Sequence, residues 1–228
     1  MIFPSPILQF FIATALLPLV ACAGPLTYSA EGIEAKVIDA DTKKPLEGVV
    51  VTANWQLEEG TFGGNVPAGQ LMVMEAVTDT NGVFRFAAWG PKTAAKGHLV
   101  SNDPQLLLFK SGYEYRRLSN QYSGDRELRL RPVRRSDWNG RVIVLKPFKG
   151  TMEEYARHLD NLSLSWAYTG RMCEWREIPR MVFASDQQAM RFRKAGVMSS
   201  LYTIQNLIPF EGYPDRCGAK DYFRSHVR

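Results

Sequence analysis

With three cysteines and three histidines, the chain lacks the residues that several kinds of chemistry need. Three cysteines cannot build a disulfide-dense scaffold, and no C-x-x-C occurs, which excludes a redox-active dithiol. His98 and His158 are followed by "LVS" and "LDN", and His226 sits at the chain end. Neither H-x-x-E nor H-E-x-x-H is formed, so no motif for a zinc hydrolase is present. G-x-S-x-G, the strained turn that exposes a nucleophilic serine, is missing. "GTFGGNVPAG" is rich in glycine but has no G-K-[ST] to cradle a phosphate. "DADT" and "DTNG" offer carboxylates without the Asp-rich spacing and terminal Glu of a calcium loop. Turn chemistry is the expected use of both. The sequence therefore assigns no catalytic residue, no metal ligand and no cofactor.

Charge is missing from the first 23 residues, "MIFPSPILQFFIATALLPLVACA". Their apolar stretch, residues 7–21, is shorter than the about 20 apolar residues that cross a bilayer. It has the length of the apolar region of an export signal, followed by small residues. The basic residues that usually precede such a region are absent. "LVAC", ending at Cys22, resembles a bacterial lipobox, in which the cysteine thiol receives diacylglycerol, the chain is cut before it and the new amine is acylated. The expectation is a signal over residues 1–22 and a lipid anchor on Cys22. By resemblance to lipoproteins of two-membrane bacteria, Ala rather than Asp after the cysteine implies an outer-membrane lipoprotein facing the periplasm. Ordinary cleavage after Ala23, which also fits A-x-A, would give a soluble periplasmic or secreted protein. Export leaves Cys173 and Cys217, which an oxidising compartment would pair. Loop-closure entropy values such a bridge at about 4 kcal/mol. Two separate buried thiols are the alternative.

What is present is mostly β pattern. "IEAKVID", "VVVTANW", "LMVMEAVT", "VFRFAAW", "QLLLFK", "EYRRLS", "RELRLRPV" and "GRVIVLK" read as short strands separated by turn residues. "EEGTFGGNVPAGQ" reads as a long Gly-rich loop, and "DTNG" as a hairpin turn. The expected fold is mainly β, an antiparallel sandwich of about seven or eight strands over residues 30–149. A small helical region follows over residues 150–228. There, "TMEE" forms a capping box with Thr151 as cap and Glu154 three residues later. Met152, Tyr155, Leu159, Leu162 and Trp166 then recur at helical spacing. "SDQQ" repeats the device with Ser185 and Gln188. Met190, Val197, Leu201, Ile204 and Ile208 continue to Pro209, with Gly196 as a break.

Three stretches in order carry a family resemblance. "KVIDADTKKPLEGVVVTANW", "AVTDTNGVFRF" and "LLLFKSGYEYRRL" resemble the carboxypeptidase regulatory-like domain, over about residues 32–146. That resemblance implies a transthyretin-like, or prealbumin-like, sandwich. Within it Pro45, Gly48, Gly82 and Gly112 have turn roles, and Phe84 and Phe86 share a face opposite Arg85. In that family the domain lies beside a zinc peptidase domain, whose motifs are absent here.

Charge supplies the remaining signal. The chain carries 28 Lys and Arg against 23 Asp and Glu. Residues 110–149 hold eleven of these cations against four acids, whereas residues 151–228 hold eleven against nine. In "RELRLRPVRR", inward Leu128 and Leu130 would leave Arg129 and Arg131 on the outer face, near Arg134 and Arg135. Such a strip could meet an anionic lipid or glycan, or an acidic face of an envelope protein. An ordinary solvated sheet face is the alternative. Nucleic acid is not an expected partner of an exported chain. The functional expectation is a non-catalytic envelope lipoprotein that binds a protein or envelope component. Its competitor is an enzyme of unrecognised type, with a site between sandwich and helical tail.

Overall fold

The computed structural model describes residues 26–121, 133–167 and 173–224. Cys22 and the expected signal, Arg129 and Arg131 lie outside the described residues, as does most of "RELRLRPV".

The fold is mainly β with a small helical region. Its strands are β1 (Thr27–Ala30), β2 (Ile33–Asp39), β3 (Val50–Thr61), β4 (Gly64–Val77), β5 (Val83–Phe86) and β6 (Trp89–Thr93), then β7 (His98–Leu99), β8 (Gln105–Phe109), β9 (Arg116–Leu118), β10 (Val133–Arg134) and β11 (Val142–Leu145). They form three sheets, ordered β10-β1-β6, β11-β2-β5 and β4-β3-β8-β9, with β7 also on β3. The sheets are mixed rather than purely antiparallel, because β11 runs parallel to β2 and β10 parallel to β1.

Strand β3 is central, and its phase divides the interior in two. Val51, Ala53, Trp55 and Leu57 enter one core with Phe84, Phe86, Leu106, Leu108, Ile143 and Leu145. Val50 faces the other way and joins Val73, Leu107 and Phe109 beneath the helices. Alternate side chains of a strand point to opposite faces, so a strand buried on both faces reads as a continuous apolar run. "VVVTANW" and "QLLLF" are such runs.

Two turn expectations are corrected. Residues 58–70, expected as a loop, continue the β3–β4 hairpin, with Glu58 opposite Pro67 and Thr61 opposite Gly64. Backbone pairing needs no apolar side chain, and the Thr61 hydroxyl donates to the Gly64 carbonyl at 2.6 Å across the tip. The "DTNG" turn closes as expected, with Gly82 at φ 71° and its N–H on the Asp79 carbonyl at 2.8 Å. It does not make a hairpin, because β5 pairs with β2. Instead it passes the chain from one sheet to another. A side chain at Gly82 would place its Cβ 2.4 Å from the Val37 carbonyl oxygen.

Helix α1 (Met152–Ala167) starts as its capping box requires. The Glu154 N–H donates to the Thr151 hydroxyl at 3.2 Å, and the Thr151 N–H donates to the Glu154 carboxylate at 2.8 Å. Helix α2 (Pro179–Lys194) starts earlier than "SDQQ" implies, with proline in its first turn. Its cap comes from a distant strand: Glu75 of β4 accepts the N–H groups of Arg180 at 3.0 Å and Met181 at 2.7 Å. Ser185 lies within the helix and donates to the Tyr202 carbonyl at 2.7 Å. Gln188 there accepts from the Ser111 hydroxyl at 2.5 Å. Gly196, at φ 73°, follows the helix end, and the short helices α3 (Ile204–Leu207) and α4 (Ala219–Tyr222) complete the layer. Cys173 and Cys217 form a disulfide, with Cα atoms 5.3 Å apart and 44 residues of separation. Among the described residues no helix is long and apolar enough to cross a membrane.

Candidate functional site

Of the basic strip expected around Arg134 and Arg135, Arg134 does not reach the surface. Arg134 is buried, at 4% exposure, whereas its neighbour Val133 is 45% exposed. Pairing of β10 with β1 sets this phase, with Ser29 opposite Val133 and Ala30 opposite Arg134. The Arg134 guanidinium donates to the Leu99 carbonyl at 3.2 Å and lies 5.4 Å from the centre of the Tyr28 ring. Asp103 is buried in the same region and accepts the Gln56 N–H at 2.5 Å. Burial raises its carboxyl well above the usual range, although the Gln56 hydrogen bond and the Arg134 charge both oppose the rise. Arg135 does face solvent, but there it pairs with Glu31 at 2.8 Å. Of the four expected arginines, one is thus interior and one is ion-paired, and the other two are not described.

A different group of cations is gathered at the open edge of the sandwich. Strand β9 ends one sheet and β11 ends another. The Glu114 N–H donates to the Lys146 carbonyl at 2.8 Å, beside the isolated bridge between Tyr113 and Pro147. These contacts hold the two edges together at one end. Beyond them opens a cleft of about 580 Å³, lined by Glu114, Tyr115, Arg116 and Arg117 from the β9 side, Val144 and Lys146 from the β11 side, and His158 from α1.

Strand phase places these side chains. Arg116 shares a side with Leu118, which is buried in the sandwich core, and its guanidinium donates to the Val144 carbonyl at 3.2 Å. Tyr115 and Arg117 lie on the opposite side, where Tyr115 packs against the helical core. The two arginines therefore straddle one strand edge. Three cations face one carboxylate, a surplus of two positive charges. Among the described residues neither Arg117 nor Lys146 has an ion pair or a side-chain hydrogen bond.

The wall opposite the strands is aromatic. The His158 ring lies 5.1 Å from Tyr115 and 5.4 Å from Phe148. Its Nε2 is buried and has no hydrogen-bond partner among the described residues. Tyr155 holds the wall to the strands: its hydroxyl accepts the Gly112 N–H at 2.9 Å and donates to the Tyr113 carbonyl at 3.1 Å. Burial raises the Tyr155 phenol pKa, which keeps it a donor. Tyr113 in turn donates to Asp39 at 2.7 Å. Asp39 is lowered to about 2, first by the Thr42 N–H and next by this hydroxyl. Burial and Asp39 push Tyr113 up to about 12. Asp39 also accepts the Asp41 N–H at 2.8 Å and the Thr42 N–H at 2.7 Å, so this carboxylate is engaged in a turn. Among the described residues no group of three or more His, Cys, Asp or Glu could hold a metal ion.

No sequence motif marks this cleft. Its cations sit in "EYRRLS" and "VIVLK", where charges on edge strands commonly serve to block sheet-to-sheet association. The usable signal was the adjacent Arg116–Arg117 pair, which must present charge on both sides of a strand.

No family model matches the chain, and no curated protein sequence matches it. Eleven chains of solved structure match. One is 3-chlorocatechol 1,2-dioxygenase from Rhodococcus opacus 1CP, 14% identical with a TM-score of 0.31, over 55% of this chain and 62% of that one. The chain thus spans less than two thirds of that relative. Another is the dioxygenase domain of a dioxygenase carbohydrate-binding protein fusion from the cellulolytic bacterium Streptomyces sp. SirexAA-E. It is 15% identical with a TM-score of 0.26, over 64% of this chain and all of that one. Likeness at these TM-scores assigns neither a family nor an activity.

Proposed function

We propose that this chain is a non-catalytic envelope binding module whose site is the basic cleft between β9, β11 and α1, and whose ligand is anionic. It rests on a carboxypeptidase regulatory-like sandwich and is anchored by lipid on Cys22 at the outer membrane. The lipobox supports the anchor, and the three ordered motifs support the sandwich family. The single observation that carries the binding role is the unbalanced charge of a ligand-sized cleft. Clefts that focus one sign of charge between low-dielectric walls concentrate counter-ions.

Calorimetric titration of the full chain with benzoate and with benzyl alcohol tests this. Binding of benzoate alone, weakened at least tenfold by the double substitution Arg117→Ala, Lys146→Ala, is the expected result. Equal binding of both compounds, or no effect of the substitutions, would remove the anion role.

A further inference from the structure

We infer that the cleft takes a phosphate monoester, its head among Arg116, Arg117 and Lys146 and its esterified group against Tyr115, Val144 and His158. The inference rests on the anion-binding reading above and narrows it to one ligand class.

Charge balance is the first argument. The cleft has two positive charges more than it cancels. A phosphate monoester carries about −1.5 to −2 at pH 7. A carboxylate or a sulfate ester carries one negative charge and leaves half of the surplus unmet. Donor shape is the second. Guanidinium groups present forked N–H pairs that match phosphate oxygens, and lysine adds a compact point charge. Arg116 commits one N–H to the Val144 carbonyl, which fixes the orientation of its remaining donors. Arg117 and Lys146 have no such commitment among the described residues.

Size and wall chemistry define the other half of the ligand. Small-molecule sites commonly measure about 300–1,000 Å³, and the cleft's 580 Å³ is far more than a phosphate group fills. The remaining space adjoins the tilted Tyr115 and His158 rings and the half-buried Val144, so it suits an uncharged ring or short chain. Glu114 also lines the cleft. Its carboxylate would repel a second anionic group and accept a hydrogen bond from a hydroxyl. A monoester with one charged end meets these conditions, and a diphosphate does not.

The same chemistry could reach the cleft as a soluble ester or as a phosphatidate headgroup. The test titrates the full chain with phenyl phosphate, phenyl sulfate and benzoate, which share a ring and differ in the anion. Phenyl phosphate should bind at least tenfold more tightly than either. The double substitution Arg117→Ala, Lys146→Ala should remove that preference, and Arg117→Lys with Lys146→Arg should keep most of it if the variants melt like the parent. Sedimentation with vesicles of equal surface charge, containing phosphatidate or phosphatidylglycerol, then separates the sources. A lipid anchor acts equally on both vesicles, so a phosphatidate preference assigns the headgroup. Phenyl phosphate binding without that preference assigns a soluble ester. Equal affinity for the three aryl anions would overturn the phosphate assignment and leave the anion-binding reading standing. Binding of none of them would overturn both.

Discussion

Two regions of the sandwich put arginine to opposite uses. Where β10 pairs with β1, Arg134 is buried with Asp103 and Tyr28, and its guanidinium is held by the Leu99 carbonyl. At the open edge, Arg117 and Lys146 line a cleft and have no protein partner among the described residues. The cations of both regions belong to the segment whose excess of positive charge stands out in the sequence. One region uses its cation to hold strands, and the other leaves its cations available. Regional charge therefore does not locate a binding surface. Strand phase decides which cations reach solvent, and local partners decide which of those remain uncancelled.

The comparison can be broken most directly at Arg134. Arg134→Ala leaves the buried Leu99 carbonyl without its donor, and a hydrogen bond to a charged group contributes about 1.5–3 kcal/mol, so the urea midpoint should fall. A midpoint equal to that of the parent would show that this region does not depend on the cation. Next in size is the double substitution Arg117→Ala, Lys146→Ala. Surface changes of this kind usually stay within about 0.5 kcal/mol in stability, whereas a tenfold loss of anion affinity is about 1.4 kcal/mol. An unfolding curve that shifts more than the binding curve would place these residues with Arg134.

Asp103→Asn should have a smaller effect, and one that depends on pH. The Asp103 pKa is raised in the fold, so above its ordinary value of 3.8 the native chain holds a proton that the unfolded chain has lost. Stability then falls as pH rises from that value through the raised one, and is flat beyond it. Midpoints measured from pH 4 to pH 8 should show this fall in the parent and not in the variant. Asp39 gives the opposite sign, because its pKa is lowered from 3.8 to about 2. Its contribution is complete above 3.8 and is lost as pH drops toward 2, so Asp39→Asn should flatten the acid limb. The smallest effect belongs to Arg135→Ala. Its partner Glu31 is exposed, as is Arg135 itself, and exposed ion pairs contribute about 0–1 kcal/mol. Thermal melts within a degree or two of the parent would complete the contrast with its neighbour in the chain.

Local physics was legible in the sequence wherever it acted alone. The Thr151–Glu154 box, the alternation of Phe84, Arg85 and Phe86, and the Cys173–Cys217 pair all stand where residue chemistry places them. Readings failed where a distant partner intervened. Helix α2 starts at Pro179 because Glu75 of another layer caps it, and no residue next to Ser185 carries that information. The Asn-Gly turn behaved as a turn, yet β2 competed successfully for β5. Residues 58–70 look like a loop because pairing with β3 needs backbone rather than apolar side chains. Arg134 was misplaced because a two-residue strand has no alternation of its own to read, and β1 sets its phase. The cleft was illegible for a related reason. Its residues come from β9, β11 and α1, and only the fold brings them together.

The two-faced sheet also affects how this chain comes apart. Val50, Val73, Leu107 and Phe109 belong to the sandwich by sequence, yet they share a core with Leu159, Met181, Val182 and Phe192 of the helices. A cut near residue 150 would leave two fragments, each exposing a greasy face that only the other can cover. Residues 30–149 expressed alone should therefore be aggregation-prone. The intact chain should melt in one transition, with the boundary seen in the sequence leaving no mark on the thermogram.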